Sequence, residues 1–350
     1  MNKIKIQNKF IGESQPVFIM AEAGVNPDGS LEKAKLMIKE AAKAGADAIK
    51  FMCYKTEQLQ TAEAKKAKYH EETTGKEENL FELHKRLELS YDNLKELKQE
   101  AAKHNIIFLA TPHSNEESVD FLNSIDIAAF KIGSGDLNNL PILEYTAKKQ
   151  KPIILATGMS SLEEVKAAVN TITKHNKNLI LLHCTSNYPA AYENMNLKAM
   201  QTMMKEFPAL PIGHSDHSLG IVVPTVAAAL GARFIEKHFT LNKNDPGPDH
   251  RVSLDPAELK QMITAIRNTE KALGSSEKKL IDSEKEILTF ARKSIVAKQN
   301  IPAGTTLTNK DITFKRPATG LPPTELPNIL NKKTKTNLKA DQLIKIEDLE

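Results

Sequence analysis

Residues 129–158 read AFKIGSGDLNNLPILEYTAKKQKPIILATG. The opening run AFKIGS and the closing run IILATG are short and β-rich, apolar at the start and small or polar at the end. A helical pattern separates them, so the stretch reads as one strand–helix–strand unit with parallel strands. The same grammar recurs outward in both directions. Toward the N-terminus lie 17–25 (VFIMAEAGV), 48–54 (AIKFMCY) and 106–112 (IIFLATP). Toward the C-terminus lie 179–184 (LILLHC), 211–216 (PIGHSD) and 234–239 (FIEKHF). Amphipathic stretches such as 31–44 and 162–175 fill the intervals. Eight such units favour a closed (β/α)8 TIM barrel, whose interior is packed and whose chemistry sits at the C-terminal rim. An open doubly wound sheet alternates similarly, but no Gly-rich dinucleotide fingerprint follows the first run.

Composition excludes several function classes. The chain has 350 residues, 40% of them hydrophobic, enough for a large domain and a smaller one. Its 48 basic and 44 acidic residues leave a net charge of only +4, and there is no Trp, so nucleic acid is not an expected partner. Cys53 and Cys184 cannot make a disulfide framework or a four-thiolate zinc site, and they read as small buried groups without a nearby base. The N-terminus shows no signal core and no apolar run reaches membrane-spanning length, so the expected location is the cytoplasm.

The pattern changes after the helix predicted at 256–273. The expected division is a barrel over 1–274, a linker over 275–284, and a small domain over 285–350 with strands at 294–297 and 312–315. The small domain carries twelve Lys and Arg against seven Asp and Glu. The segment 55–90 exceeds an ordinary βα loop and is expected to fold partly over the barrel mouth.

The rim supplies the chemistry. His217 and His238 end adjacent predicted strands, close enough for one metal ion, although two rim histidines also occur as ordinary polar residues. Glu22 ends the first strand, Glu236 shares a face with His238, and Asp249 lies in the following loop. Such acids suit acid–base work and hydroxyl binding, with a buried ion pair as the alternative. Lys50 and Lys131, with Ser134, Thr157, Asn187 and Ser215 at successive strand ends, suit phosphate and carboxylate. His183 reads as packing, and His70, His84, His104 and His175 as surface residues. His113, His214 and His250 lie near the rim.

These motifs resemble the sialic acid synthase family. The resemblance rests on Ala21–Glu22–Ala23–Gly24–Val25–Asn26, Lys131–Ile132–Gly133–Ser134–Gly135 and Ser186–Asn187–Tyr188–Pro189. It extends through Ser215–Asp216–His217, Glu236–Lys237–His238–Phe239, Gly247–Pro248–Asp249–His250 and Lys315–Arg316–Pro317. It spans nearly the whole chain, and residues 285–350 look like the family's antifreeze-like (SAF, β-clip) domain.

The resemblance implies condensation of phosphoenolpyruvate with N-acetylmannosamine to give N-acetylneuraminate, with legionaminate formation from a diacetamido-trideoxy hexose as the alternative. It implies a divalent metal, most often Mn2+ with Mg2+ or Co2+ as options, on His217 and His238. It places Lys50, Thr111, Lys131, Ser134, Thr157, Asn187 and Ser215 around phosphoenolpyruvate. It places Glu22, Tyr188, Glu236 and Asp249 on the sugar side, and Glu236 or Glu22 is the candidate catalytic base. Arg316 would act on the partner's barrel in a domain-swapped homodimer. Pro27, Met52 and the pair His113–Ser114 depart from the family pattern beside the site. A Schiff-base aldolase with Lys131 as nucleophile and a non-catalytic sugar-phosphate sensor are the rival readings.

Overall fold

The computed structural model describes residues 2–75, 77–113 and 115–350. Ser114 therefore lies outside the described residues. The chain divides into two compact units, 1–274 and 275–350.

The first unit opens with a hairpin, β1 (Ile4–Ile6) and β2 (Lys9–Ile11), which sequence reading did not anticipate. Eight parallel strands follow: β3 (Phe18–Gly24), β4 (Ala48–Cys53), β5 (Ile107–Pro112), β6 (Phe130–Ile132), β7 (Ile153–Ala156), β8 (Leu179–Cys184), β9 (Ile212–Asp216) and β10 (Phe234–His238). They close on themselves in sequence order, β10 pairing with both β9 and β3. The expected barrel is thus the observed one.

Side-chain parity divides the barrel into two cores. Phe18, Met20, Ala48, Leu109, Ile154, Leu182 and Phe234 fill the interior together with Ile4, Ile6 and Ile11 of the hairpin. Ile19, Ala21, Ile49, Phe51, Leu155, Leu181 and Ile235 face the helix layer. Successive residues of a strand point to opposite faces, so each strand presents every second residue to the cavity at its C-terminal end. Among the helices, Leu31–Ala44 shows how the layer is built. Ser30 caps its first turn, and Gly45 ends it with φ 96°. Its buried Ala34, Met37, Ile38 and Ala41 recur at helical spacing and pack on the barrel. Burying Met37 and Ile38 contributes roughly 1.5–3 kcal/mol each.

The second unit begins with an exposed stretch carrying one 3-10 turn, Asp282–Glu284, and a short helix, Lys285–Ala291. Strands β11 (Ser294–Ala297) and β12 (Ile312–Lys315) pair antiparallel. Ile295, Ile301, Leu307, Ile312, Ile329, Leu338 and Ile344 form its own core. Among the described residues no helix is long and apolar enough to cross a membrane.

Candidate active site

The C-terminal ends of the barrel strands surround a cavity of about 540 Å3. Its floor holds two buried ion pairs, Lys50–Glu22 at 2.7 Å and Lys131–Glu236 at 3.2 Å. Buried ion pairs add little to stability, so four charges on a barrel floor point toward chemistry. Burial pushes the Glu22 carboxyl up to about 7, with Glu236 adding repulsion and Lys50 only partly offsetting it. Burial acts the same way on Glu236, but Lys131 and Lys50 outweigh it and hold that carboxyl below its usual range. The two acids are thereby set apart, one able to exchange a proton near neutrality and one held ionised. Burial lowers Lys50, whereas Glu236 and Glu22 keep Lys131 raised against the same desolvation. Oε2 of Glu22 and Oγ1 of Thr111 are buried without a hydrogen-bond partner, leaving capacity for a ligand.

Two imidazoles stand on the adjacent wall. The rings of His217 and His238 lie 5.2 Å apart. Nδ1 of His217 contacts the Thr185 carbonyl at 2.8 Å, which places its proton there and leaves Nε2 as the acceptor. The Tyr188 hydroxyl meets that Nε2 at 3.0 Å. His238 is buried, and its Nδ1 has no hydrogen-bond partner, with Asp249 3.6 Å away. Burial, with the ammonium charges of Lys50 and Lys131 adding to it, holds the His238 imidazole well below its ordinary range. Burial also raises Asp249 to about 6. Behind the wall, the outward-facing Lys237 donates to Asp216 at 2.5 Å and to the Ser218 carbonyl. Those two residues flank His217 and fix its backbone.

Small groups crowd the opposite edge. The Gly158 N–H donates to Oγ of Ser134 at 2.9 Å. A Cβ on Gly158 would stand 2.2 Å from Oγ of Ser186 and 3.3 Å from Sγ of Cys184, so any side chain here would force its neighbours to move.

Glu22, Lys50, Thr111, Lys131, Ser134, Asn187, Tyr188, Ser215, His217, Glu236, His238 and Asp249 all border the one cavity. Thr157 does not. Ile154 and Ala156 face inward, and the Thr157 hydroxyl donates to the Leu182 carbonyl at 3.0 Å. Arg316 belongs to the second unit, where its Nε donates to the Ala291 carbonyl at 2.9 Å. Cys184 has an imidazole beside it that sequence reading missed, its Sγ lying 3.8 Å from Nδ1 of His217. Burial raises that thiol, but His217 and Lys131 outweigh it and bring it below its usual range. Cys53 is buried as expected, and desolvation pushes its thiol up.

Segment 55–90 does reach the cavity. It folds as helices Thr56–Leu59, Lys68–Thr74 and Leu80–Leu87. Leu59, Ala67, Tyr69, His70 and His84 line the mouth, which corrects the reading of His70 and His84 as surface residues. Tyr69 stacks on Tyr188 at 5.3 Å, and Tyr188 lies 4.1 Å from the His217 ring. Of the departures from the family pattern, Met52 and His113 border the cavity, and Sδ of Met52 lies 3.1 Å from Nζ of Lys50. His183 packs outward, its Nε2 2.9 Å from the Met195 carbonyl.

Outside the cavity, Asp28, Asp245 and His250 come together in a group that could ligate a metal. The Lys33 ammonium already sits there, 2.7 Å from Asp245 and in contact with Asp28. That cation satisfies the acids, so the group reads as a structural tie between two rim loops.

Comparison with known proteins agrees with this architecture. The NeuB family model matches residues 37–278 and the SAF domain model residues 292–350. A Legionella pneumophila protein named N,N'-diacetyllegionaminic acid synthase is 42% identical, covering 97% of this chain and 96% of its own. The mouse N-acetylneuraminate-9-phosphate synthase is 39% identical, covering 98% and 95%. The crystal structure of an N-acetylneuraminic acid synthetase from Leptospira borgpetersenii superposes with a TM-score of 0.73 at 37% identity, covering 82% of this chain and 95% of that one. The family match over most of the chain, and relatives of this identity along nearly its full length, make it an enzyme of the NeuB family with a C-terminal SAF domain.

Proposed function

We propose that the enzyme joins phosphoenolpyruvate to the aldehyde carbon of an open-chain N-acylated amino sugar, consuming water and releasing phosphate to give a nonulosonic acid. The observation that carries this reading is the two Lys–Glu pairs and two rim imidazoles on a single cavity. Lys50 and Lys131 hold the phosphate and carboxylate, with Ser134, Ser215, Thr111 and Asn187 adding neutral donors. The enol carbon attacks the aldehyde: a C–C bond forms as the C=C and C=O π bonds are consumed, the phosphate-bearing carbon becomes electron-poor, and the aldehyde oxygen becomes a hydroxyl with a proton that derives from the added water. Water adds to the phosphate-bearing carbon, giving its proton to Glu22, whose carboxyl at about 7 is matched to that task. Cleavage of the C–O bond then releases phosphate toward the lysines. Tyr188 and Asp249 bind the sugar beside the imidazoles.

His217 and His238 would hold a divalent ion, with Mn2+ first by resemblance and Mg2+ or Co2+ as alternatives. The residues fit. The Thr185 carbonyl fixes the His217 tautomer as such carbonyls do for metal ligands, and His238 Nδ1 is buried without a hydrogen-bond partner. Such an ion supplies Lewis-acid polarisation of a carbonyl oxygen.

N-acetylmannosamine, giving N-acetylneuraminate, is the first sugar proposed. The diacetamido-trideoxy sugar that leads to legionaminate is an equal second, supported by relatives named N,N'-diacetyllegionaminic acid synthase at 42% and 45% identity. Phosphate release across both sugars tests the reaction. In 18O-water the label should enter the sugar acid and not the phosphate, whereas labelled phosphate would overturn the C–O cleavage. Borohydride with pyruvate should trap no Lys131 adduct.

The homodimer in which Arg316 serves the partner's barrel remains part of this proposal. Ile287 and Phe290, 61% and 68% exposed on the helix Lys285–Ala291, supply apolar surface suited to a further contact. Mixing Arg316→Ala with His238→Ala should restore activity if the arginine works in trans. Subunit exchange without recovery would remove that role.

A further inference from the structure

The amino sugar's reacting aldehyde must face the enol carbon over the lysine floor, so its far end points to the mouth. This argument rests on the condensation proposed above. The mouth is walled by Tyr54, Leu59, Tyr69, His70 and His84. Among the described lining residues, lysine occurs only at Lys50 and Lys131 on the floor, and arginine not at all.

We infer that His70 and His84, with Tyr69 beside them, are specificity-determining residues that select an amino sugar whose far end is uncharged and hydrogen-bonding, and reject its phosphate ester. The tautomers supply the chemistry. Nδ1 of His84 lies 2.9 Å from Oε1 of Gln60 and donates to it, leaving Nε2 as a lone-pair acceptor. Nδ1 of His70 accepts from the Ala67 N–H at 3.3 Å, which leaves Nε2–H as a donor. Burial lowers both imidazoles, His84 to about 4, so neither is a cation near neutrality. A hydroxyl or an acylamino group offers both a donor and an acceptor and can satisfy the pair. A phosphate dianion offers acceptors only, so it meets the His84 lone pair unpaired, and the Lys66 ammonium beside His70 is already engaged by Glu78, the Thr74 hydroxyl and the Gly75 carbonyl. Tyr69, held by its stack on Tyr188, sets the apolar side of the same wall.

The test is steady-state phosphate release by the full-length enzyme with phosphoenolpyruvate and three sugars: N-acetylmannosamine, its 6-phosphate, and 2,4-diacetamido-2,4,6-trideoxymannose. The 6-phosphate should show kcat/KM at least about 100-fold below the better of the other two, the size of discrimination that an unpaired polar contact produces. A phosphorylated sugar used equally well or better overturns this inference and leaves the proposed reaction standing. Turnover of none of the three overturns the reaction itself, and the inference with it. His84→Lys should narrow the ratio by about 10-fold, through the KM of the phosphorylated sugar. A folded His84→Lys enzyme with the wild-type ratio removes His84 from the selection. Should that variant not fold, the wild-type ratio alone decides.

Discussion

The Tyr188 hydroxyl donates to Nε2 of His217 at 3.0 Å, the one ring nitrogen that the Thr185 carbonyl leaves free. Any ion bound by His217 must displace that hydroxyl. Tyr188→Phe keeps the ring stack and removes the competitor, so divalent-ion affinity of the substrate-free enzyme should rise by up to about 10-fold, the worth of one net hydrogen bond. Calorimetric titration with Mn2+ measures it. Weaker binding in the phenylalanine variant would make the hydroxyl a supporter of the ion.

His217→Ala and His238→Ala should each lose Mn2+ binding and turnover together, because two imidazoles at this spacing act as one ligand set. Full activity of the double variant in chelator would remove the metal role from this pair.

Glu22 gives the enzyme a pH signature. Its carboxyl ordinarily titrates at 4.5 and is raised to about 7 by burial. Its favourable contribution is therefore complete below the ordinary value and is lost as pH rises through the raised one. Glu22→Gln, which mimics the protonated form, should match the wild type near pH 4–5 on a linkage argument and exceed it in stability by up to about 3 kcal/mol above pH 8. Urea unfolding in chelator across that range reads the difference. A pH-independent difference would place the carboxyl in its ordinary range.

Lys237 is fully buried, and Asp216 and the Ser218 carbonyl hold its ammonium. Lys237→Met removes the ammonium from a buried carboxylate and leaves Asp216 with only the Ser218 donors and His214 at 3.6 Å, so stability should fall by about 3–5 kcal/mol. His217 sits between the two contacts, so ion affinity should fall as well. Thermal unfolding and calorimetry on one preparation separate the two effects. Lost stability with unchanged ion binding would make Lys237 purely structural.

Gly158→Ala pushes a methyl against Ser186, Ser134 and Cys184. The repacking should cost about 1–3 kcal/mol and raise the KM for phosphoenolpyruvate more than that for the sugar. Equal changes in both constants would move this edge away from the phosphate.

The eight-strand barrel was readable because each strand announces itself locally, with an apolar start and a polar end. Parity sharpens the reading of the rim. Counting inward from Ile154 and Ala156 turns Thr157 toward the helices, and counting from Leu182 turns Cys184 into the cavity beside His217. The family pattern had placed Thr157 at the ligand, and residue type had left Cys184 as a buried group without a nearby base. His70 and His84 were not readable at all, since they reach the mouth only when helices of a long loop fold back over distant strands. The hairpin Ile4–Ile11 was equally hidden, because its three isoleucines join the barrel interior through contacts remote in sequence.

The stack of Tyr69 on Tyr188 also gives the enzyme an intrinsic optical probe. The chain has no Trp and only six Tyr, so its near-ultraviolet emission comes from tyrosine alone. Tyr54, Tyr69 and Tyr188 border the cavity, which puts half of the emitters at the mouth or beside the imidazoles. Rearrangement of the long loop or displacement of the Tyr188 hydroxyl would change a large share of that light against a background of the three tyrosines that do not line the cavity. Ligand arrival can then be timed by stopped flow without a label.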